Sequence, residues 1–132
     1  MRTIKAFSAV AITMVILDIA FLGYLARDFY DEQLGPLRGE NVLWAATLFY
    51  LQYVAVITWF AVLPSPTTKH AALRGLGIGW LAYATFEFTN MAVIAGWPAA
   101  LVPFDIAWGL VLTATVACAG RFAAGPPPHS ES

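Results

Sequence analysis

Four apolar stretches, each about as long as a bilayer's hydrocarbon core is thick, take up most of this 132-residue chain. Crossing that core takes roughly 20 apolar residues in a helix. The first stretch runs from about Ala6 to Ala26, the second from Val42 to Leu63 and the third from about Gly75 to Ala95. The fourth begins between Pro98 and Pro103 and ends near Gly120. Turn or charge signals separate them: Arg27-Asp28, Leu34-Gly35-Pro36, Pro64-Ser65-Pro66 and Gly96-Trp97-Pro98. The expected fold is all-α, a polytopic membrane protein built as a compact bundle of four transmembrane helices over residues 1–122. With connections this short, neighbouring helices should be antiparallel. Residues 123–132 have little to bury and should form a disordered cytoplasmic tail.

Composition excludes the main alternative. A soluble domain carries about 25% charged residues; this chain has 11%, with 60% hydrophobic residues and a mean hydropathy of +0.71. Lipid, rather than water, must cover most of such a surface. Net charge is −1 and no basic stripe is interleaved with aromatics, so nucleic acid is not expected as a partner. Cys118 is the sole cysteine, which excludes an internal disulfide and a thiolate metal cluster and leaves packing as its role.

The basic start at Arg2 and Lys5 invites comparison with a cleaved signal peptide. The apolar run is too long for one, contains Asp18, and is followed by Tyr24-Leu25-Ala26 rather than a small-x-small site. It reads as a retained helix. Arg2, Lys5, Lys69, Arg74 and Arg121 fall on one side of the membrane. Arg27 and Arg38, diluted by Asp28, Asp31, Glu32 and Glu40, fall on the other. The lysine and arginine bias puts both termini in the cytoplasm of a bacterium, with the 27–41 loop and the 96–98 turn outside its inner membrane. Gly75 with Gly79, and Gly109 with Thr113, are small-xxx-small pairs of the kind that let membrane helices approach closely.

Asp18, Glu87 and Asp105 should not be in such spans unless they have work to do. Each costs roughly 2.5–3.5 kcal/mol at a helix centre. With the helices threaded as above, all three lie about 10–12 Å below the outer ends of their helices. Tyr50, Gln52 and Tyr53 reach the same layer from the second helix, and Asn90 and Trp108 stand one turn beyond Glu87 and Asp105. Gly75, Gly79, Tyr83, Glu87 and Asn90 form one stripe that should face the bundle. No lysine, arginine or histidine lies within the spans, so at least one carboxyl should be protonated at neutral pH, or a cation should occupy the site. Two blander readings stand beside this one. A protonated carboxyl could simply hydrogen-bond a neighbouring helix. Asp105 could instead sit in the first turn of a helix starting at Pro103, where a carboxylate complements the helix dipole.

Trp44, Trp59, Trp80 and Trp97 are placed as interfacial anchors. Asp18-Ile19-Ala20-Phe21 and Asp105-Ile106-Ala107-Trp108 repeat one another, each with a glycine close behind. On antiparallel helices they could be matching half-sites, or a coincidence in an Ala/Ile-rich chain. No Glu-x-x-His pair, phosphate-binding loop or His-Glu-x-x-His is present, and His70 and His129 lie in a loop and the tail. No cofactor or metal is therefore expected, and no catalytic motif is recognisable.

The chain resembles domain-of-unknown-function family 2177, small bacterial membrane proteins, from about Leu17 to Leu112. The likeness rests on Leu17-Asp18 followed by Gly23, on Tyr30 to Gly35, on Phe49-Tyr50 and on Thr89-Asn90. Gly96-Trp97-Pro98 and Asp105-Ile106-Ala107-Trp108-Gly109 complete it. Where family members often read Tyr-Asp-x-Thr-Asn, this chain has Phe86-Glu87-Phe88-Thr89-Asn90, which keeps the carboxyl on a longer arm and loses a ring hydroxyl. The resemblance implies the four-helix architecture and supplies no reaction.

Three functional readings follow. The first is a pocket of Asp18, Tyr50, Tyr53, Tyr83, Glu87, Asn90, Asp105 and Trp108 that binds or transports a small cationic or amphipathic, lipid-like ligand. The second is a structural or assembly subunit, in a homo-oligomer or larger membrane complex, whose polar residues glue helices together. The third, with least in its favour, is a lipid- or quinone-modifying enzyme subunit.

Overall fold

A computed structural model describes residues 1–128, and among them all regular structure is helical. α1 spans Arg2–Ala20 and runs on into a π-helical stretch, Phe21–Leu25. α2 is Arg27–Leu34. α3 spans Leu43–Val56 and likewise continues as a π-helix, Ile57–Val62. α4 is Thr68–Val93 and α5 is Leu101–Ala124. Three of these are long and apolar enough to cross a membrane: Arg2–Leu25, Leu43–Val62 and Leu101–Ala124. α4 is as long, with 26 residues, but Lys69, His70, Arg74 and Glu87 make it the more polar.

The boundaries differ from the sequence expectation in ways that have local causes. α4 starts seven residues before Gly75 because Thr67 caps it, its hydroxyl accepting from the His70 backbone N–H at 3.1 Å. Hydropathy alone misses those first two turns, which carry Lys69 and Arg74. α5 starts at Leu101, so Asp105 lies beyond its first turn and the first-turn reading of that residue is corrected. α5 also runs to Ala124 before Gly125 turns the chain at φ 76°. Residues 123 and 124 are therefore helix, and the last four residues of the expected tail lie outside the described ones.

The stretch expected as the 27–41 loop is corrected too. Its first eight residues form α2, closed by Gly35 at φ 47° and a 3₁₀ turn over Gly35–Leu37. Its charges mask an apolar side: Phe29 and Tyr30 pack on Phe104 at 4.5 and 6.0 Å between ring centroids. The Arg27–Asp31 pair on the outer side is long, 3.9 Å, and solvated, so packing rather than charge holds α2 in place.

The long helices are antiparallel to their neighbours, with α5 against both α1 and α4 and α3 against α1. The closest approach is α4 on α5, where the small residues meet as the spacing predicts. A Cβ on Gly75 would come 2.8 Å from the Thr113 carbonyl oxygen, and one on Gly79 would come 2.7 Å from that of Gly109. Val10, Met14, Ile57, Leu112 and Val116 fill the space between helices, while Ile12, Ile16, Leu51, Leu81 and Val111 form an apolar outer surface.

Both described ends of the chain meet at one end of the bundle, where Arg2 donates to the Gly125 and Leu63 carbonyls at 3.3 and 3.1 Å. The buried Arg121 donates to Ser65 and Pro66 there at 2.9 and 2.6 Å. Helix C-termini leave carbonyls without partners, and these two guanidinium groups satisfy the ones after Ile57–Val62. α3 and α4 are held together at that same end, through Ile57–Val62. Towards the α2 end they diverge, and the gap they leave is part of the site below.

Candidate functional site

Asp18, Glu87 and Asp105, from α1, α4 and α5, turn inward near the α2 end of the bundle. They are 7%, 0% and 8% exposed. Such burial of three carboxyls requires donors, and each helix neighbour supplies one. Tyr50 of α3 donates its hydroxyl to Asp18 Oδ2 at 2.5 Å, and the Trp108 indole donates to Asp18 Oδ1 at 3.3 Å. Tyr30 of α2 donates to Asp105 Oδ1 at 2.7 Å. The Trp97 indole donates to Glu87 Oε2 at 2.9 Å. Burial, with Asp105 as acceptor, pushes the Tyr30 phenol well above its ordinary range, so it stays a neutral donor.

The three carboxyls form a row rather than a point. Asp105 is the middle member, close enough to both Glu87 and Asp18 for its charge to act on each. Glu87 Oε1 is buried and receives no hydrogen bond from any donor. Two facing carboxyl groups can satisfy each other only by sharing a proton, or by admitting a donor from outside. Among the described residues, no three His, Cys, Asp or Glu side chains come together as metal ligands would.

The repeated Asp-Ile-Ala-aromatic segments meet. Phe21 stacks on Trp108 with ring centroids 3.8 Å apart and an 11° interplanar angle, and Trp108 in turn holds Asp18. The π-helical turn begins at Phe21, where the extra residue per turn re-aims that ring relative to Asp18. Tyr53 exchanges a hydrogen bond with Thr113 at 2.6 Å, buried. Tyr83 lies flat over Gly109, in the space that any side chain there would need.

Of the residues expected to form the pocket, Asp18, Tyr50, Tyr53, Tyr83, Glu87, Asp105 and Trp108 come together. Asn90 does not: it is half-exposed and makes no hydrogen bond to the carboxyls among the described residues. It lies three residues past Glu87, in the last turn of α4, where the bundle covers it only in part. Gln52 points outward and donates to the Phe49 carbonyl. Tyr30 and Trp97 were missed as site residues. Tyr30 was hidden by reading 27–41 as loop, although it lies within a segment of family likeness. Trp97 was assigned an interfacial role that leaves its N–H uncommitted.

Trp97→Phe removes the hydrogen-bond donor to Glu87, and is expected to destabilise the protein by about 1–3 kcal/mol. Trp80→Phe, at a half-exposed ring, should cost no more than about 0.5 kcal/mol. Unfolding in mixed micelles of increasing SDS content checks the difference; equal effects would remove Trp97 from the site.

Two clefts reach this row. One, of about 450 Å³, opens between α3 and α4 and is lined by Phe49, Ala82, Tyr83, Phe86 and Asp105. The other, of about 160 Å³, opens under α2 and includes Arg27, Tyr30, Asp31, Arg38, Trp108, and again Tyr83 and Asp105.

Apolar rods with hydrocarbon outside and carboxyls, phenols and indoles turned inside define a helical membrane protein. The chain belongs to the family described as "Predicted membrane protein (DUF2177)", whose model matches residues 3–122. Neither the curated proteins nor the solved structures yielded a match.

Proposed function

We propose that the four long helices all cross the bacterial inner membrane, with both termini cytoplasmic. The carboxyl row then lies in the outer half, as a pocket that binds or transports a small cationic or amphipathic ligand. The observation that carries this reading is Asp105, a buried carboxyl that lines both clefts, with Glu87 Oε1 in the same row buried and without a donor. A cationic head group would supply the missing donors and charge, and Tyr83, Phe49 and Phe86 offer ring faces to it. The five-to-two lysine and arginine asymmetry between the two sides supports a single orientation.

The assembly reading has its own support, since each carboxyl already accepts a hydrogen bond from another helix or connection. Flux separates the two. In proteoliposomes carrying a proton gradient, wild-type protein should move hexylguanidinium against the protons, and Asp18→Asn should reduce this to the rate of empty vesicles. Equal flux in wild type and mutant contradicts transport through the row.

A further inference from the structure

Resting on that reading, we infer that the opening between α3 and α4 is a side door to lipid, through which the ammonium head of a membrane amphiphile reaches Asp105. The shape of the bundle makes the door. α3 packs on α4 chiefly through Ile57–Val62, and at the level of the carboxyls the two helices meet through the rings of Tyr53 and Tyr83, 6.3 Å between centroids. The walls between them are Phe49 on one side and Ala82 and Phe86 on the other, with both phenylalanines turned partly outward. At about 450 Å³ the cleft is of the size that takes a small ligand. Its inner end is Asp105, with Glu87 behind it.

Size and lining distinguish the two approaches to Asp105. The smaller cleft under α2 is the one open to the loops, and its rim carries Arg27 and Arg38. Both guanidinium groups stand beside the same Asp31 carboxylate, at 3.9 and 3.4 Å. These side chains crowd the mouth of the smaller cleft, whose volume is about 160 Å³. The wider cleft has no cationic side chain in its lining, only apolar surface, one phenol and the carboxyl. An alkylammonium can therefore slide in head first from the bilayer, leaving its tail in lipid, and set its N–H groups against Asp105. A phosphate head group finds no cationic side chain in this cleft's lining to hold it, and meets the Asp105 carboxyl instead.

The test uses the full chain in phosphatidylcholine vesicles with dodecylammonium carrying a photoreactive diazirine in its tail. Labelled positions are read by peptide mass spectrometry. Labelling should concentrate on Phe49, Ala82 and Phe86 at least about tenfold above the lipid-facing Ile12 and Val111. Excess unlabelled dodecylammonium should displace it, and the matching diazirine dodecanol should not reproduce it. Ala82→Trp, which fills the door, should abolish the cleft labelling, and Leu22→Trp, which fills the smaller cleft, should leave it. Even coverage of all lipid-facing positions, or equal labelling by the alcohol, overturns the side door; the wild-type comparison stands even if Ala82→Trp fails to fold. Saturable calorimetric binding of dodecylammonium without cleft labelling would sink the route alone and keep the pocket. Absence of any saturable binding would sink both.

Discussion

Gly109→Leu is expected to yield almost no folded protein. A Cβ at this position would lie inside the space filled by the Tyr83 ring. That ring cannot move aside easily, because α4 is held against α5 one turn away, where Gly79 approaches the Gly109 carbonyl. The larger side chain must either part the helices or drive Tyr83 into the carboxyl row. Overpacking usually costs 1–3 kcal/mol, and two helices moved together put this case above about 3 kcal/mol. Gly77→Leu is the control: nothing lies within 4 Å of a Cβ there, and relief of glycine's helix penalty makes it neutral or stabilising by about 0.5–1 kcal/mol. Folded yield by size-exclusion chromatography, and unfolding in SDS mixed micelles, read both. Similar behaviour of the two variants would mean that α4 and α5 do not pack through these glycines.

Asp105→Asn should weaken dodecylammonium binding about a hundredfold, roughly 2.7 kcal/mol. Loss of one member of a buried charge pair typically costs 2–5 kcal/mol. Asparagine keeps the shape and can still accept from Tyr30, so the change removes charge while sparing the hydrogen bond from α2. Asp105 carries this effect more than its neighbours because it lines both clefts, whereas Glu87 lies behind it, fully buried.

Much of this arrangement is legible in the sequence, and the limits of legibility are physical. Ionisable residues in apolar runs are conspicuous because hydrocarbon penalises them, so Asp18, Glu87 and Asp105 stand out at once. Their shared level follows from counting residues inward from helix ends, and the stripe from Gly75 to Glu87 follows from helical period. The glycine pairs likewise announce where α4 and α5 touch. Period and depth say nothing of which way two helices lean, so the parting of α3 from α4 was invisible. The π-helical stretches Phe21–Leu25 and Ile57–Val62 also shift phase without a sequence mark. α2 was lost because surface charge outvotes two aromatic residues in any short window. The donors from Tyr30 and Trp97 come from connections whose course is set only by tertiary packing.

The central claim is that the carboxyl row exists to meet a ligand and does not serve chiefly as glue. It is tested most directly by titrating dodecylammonium into nanodisc-embedded wild-type protein and Asp105→Asn, with each protein's SDS unfolding free energy measured alongside. The account predicts the hundredfold loss of affinity with unfolding shifted by less than about 1 kcal/mol, the range of an ordinary interhelical hydrogen bond in a membrane. Unchanged affinity, or a protein that loses its fold while showing no specific binding even in the wild type, would contradict it.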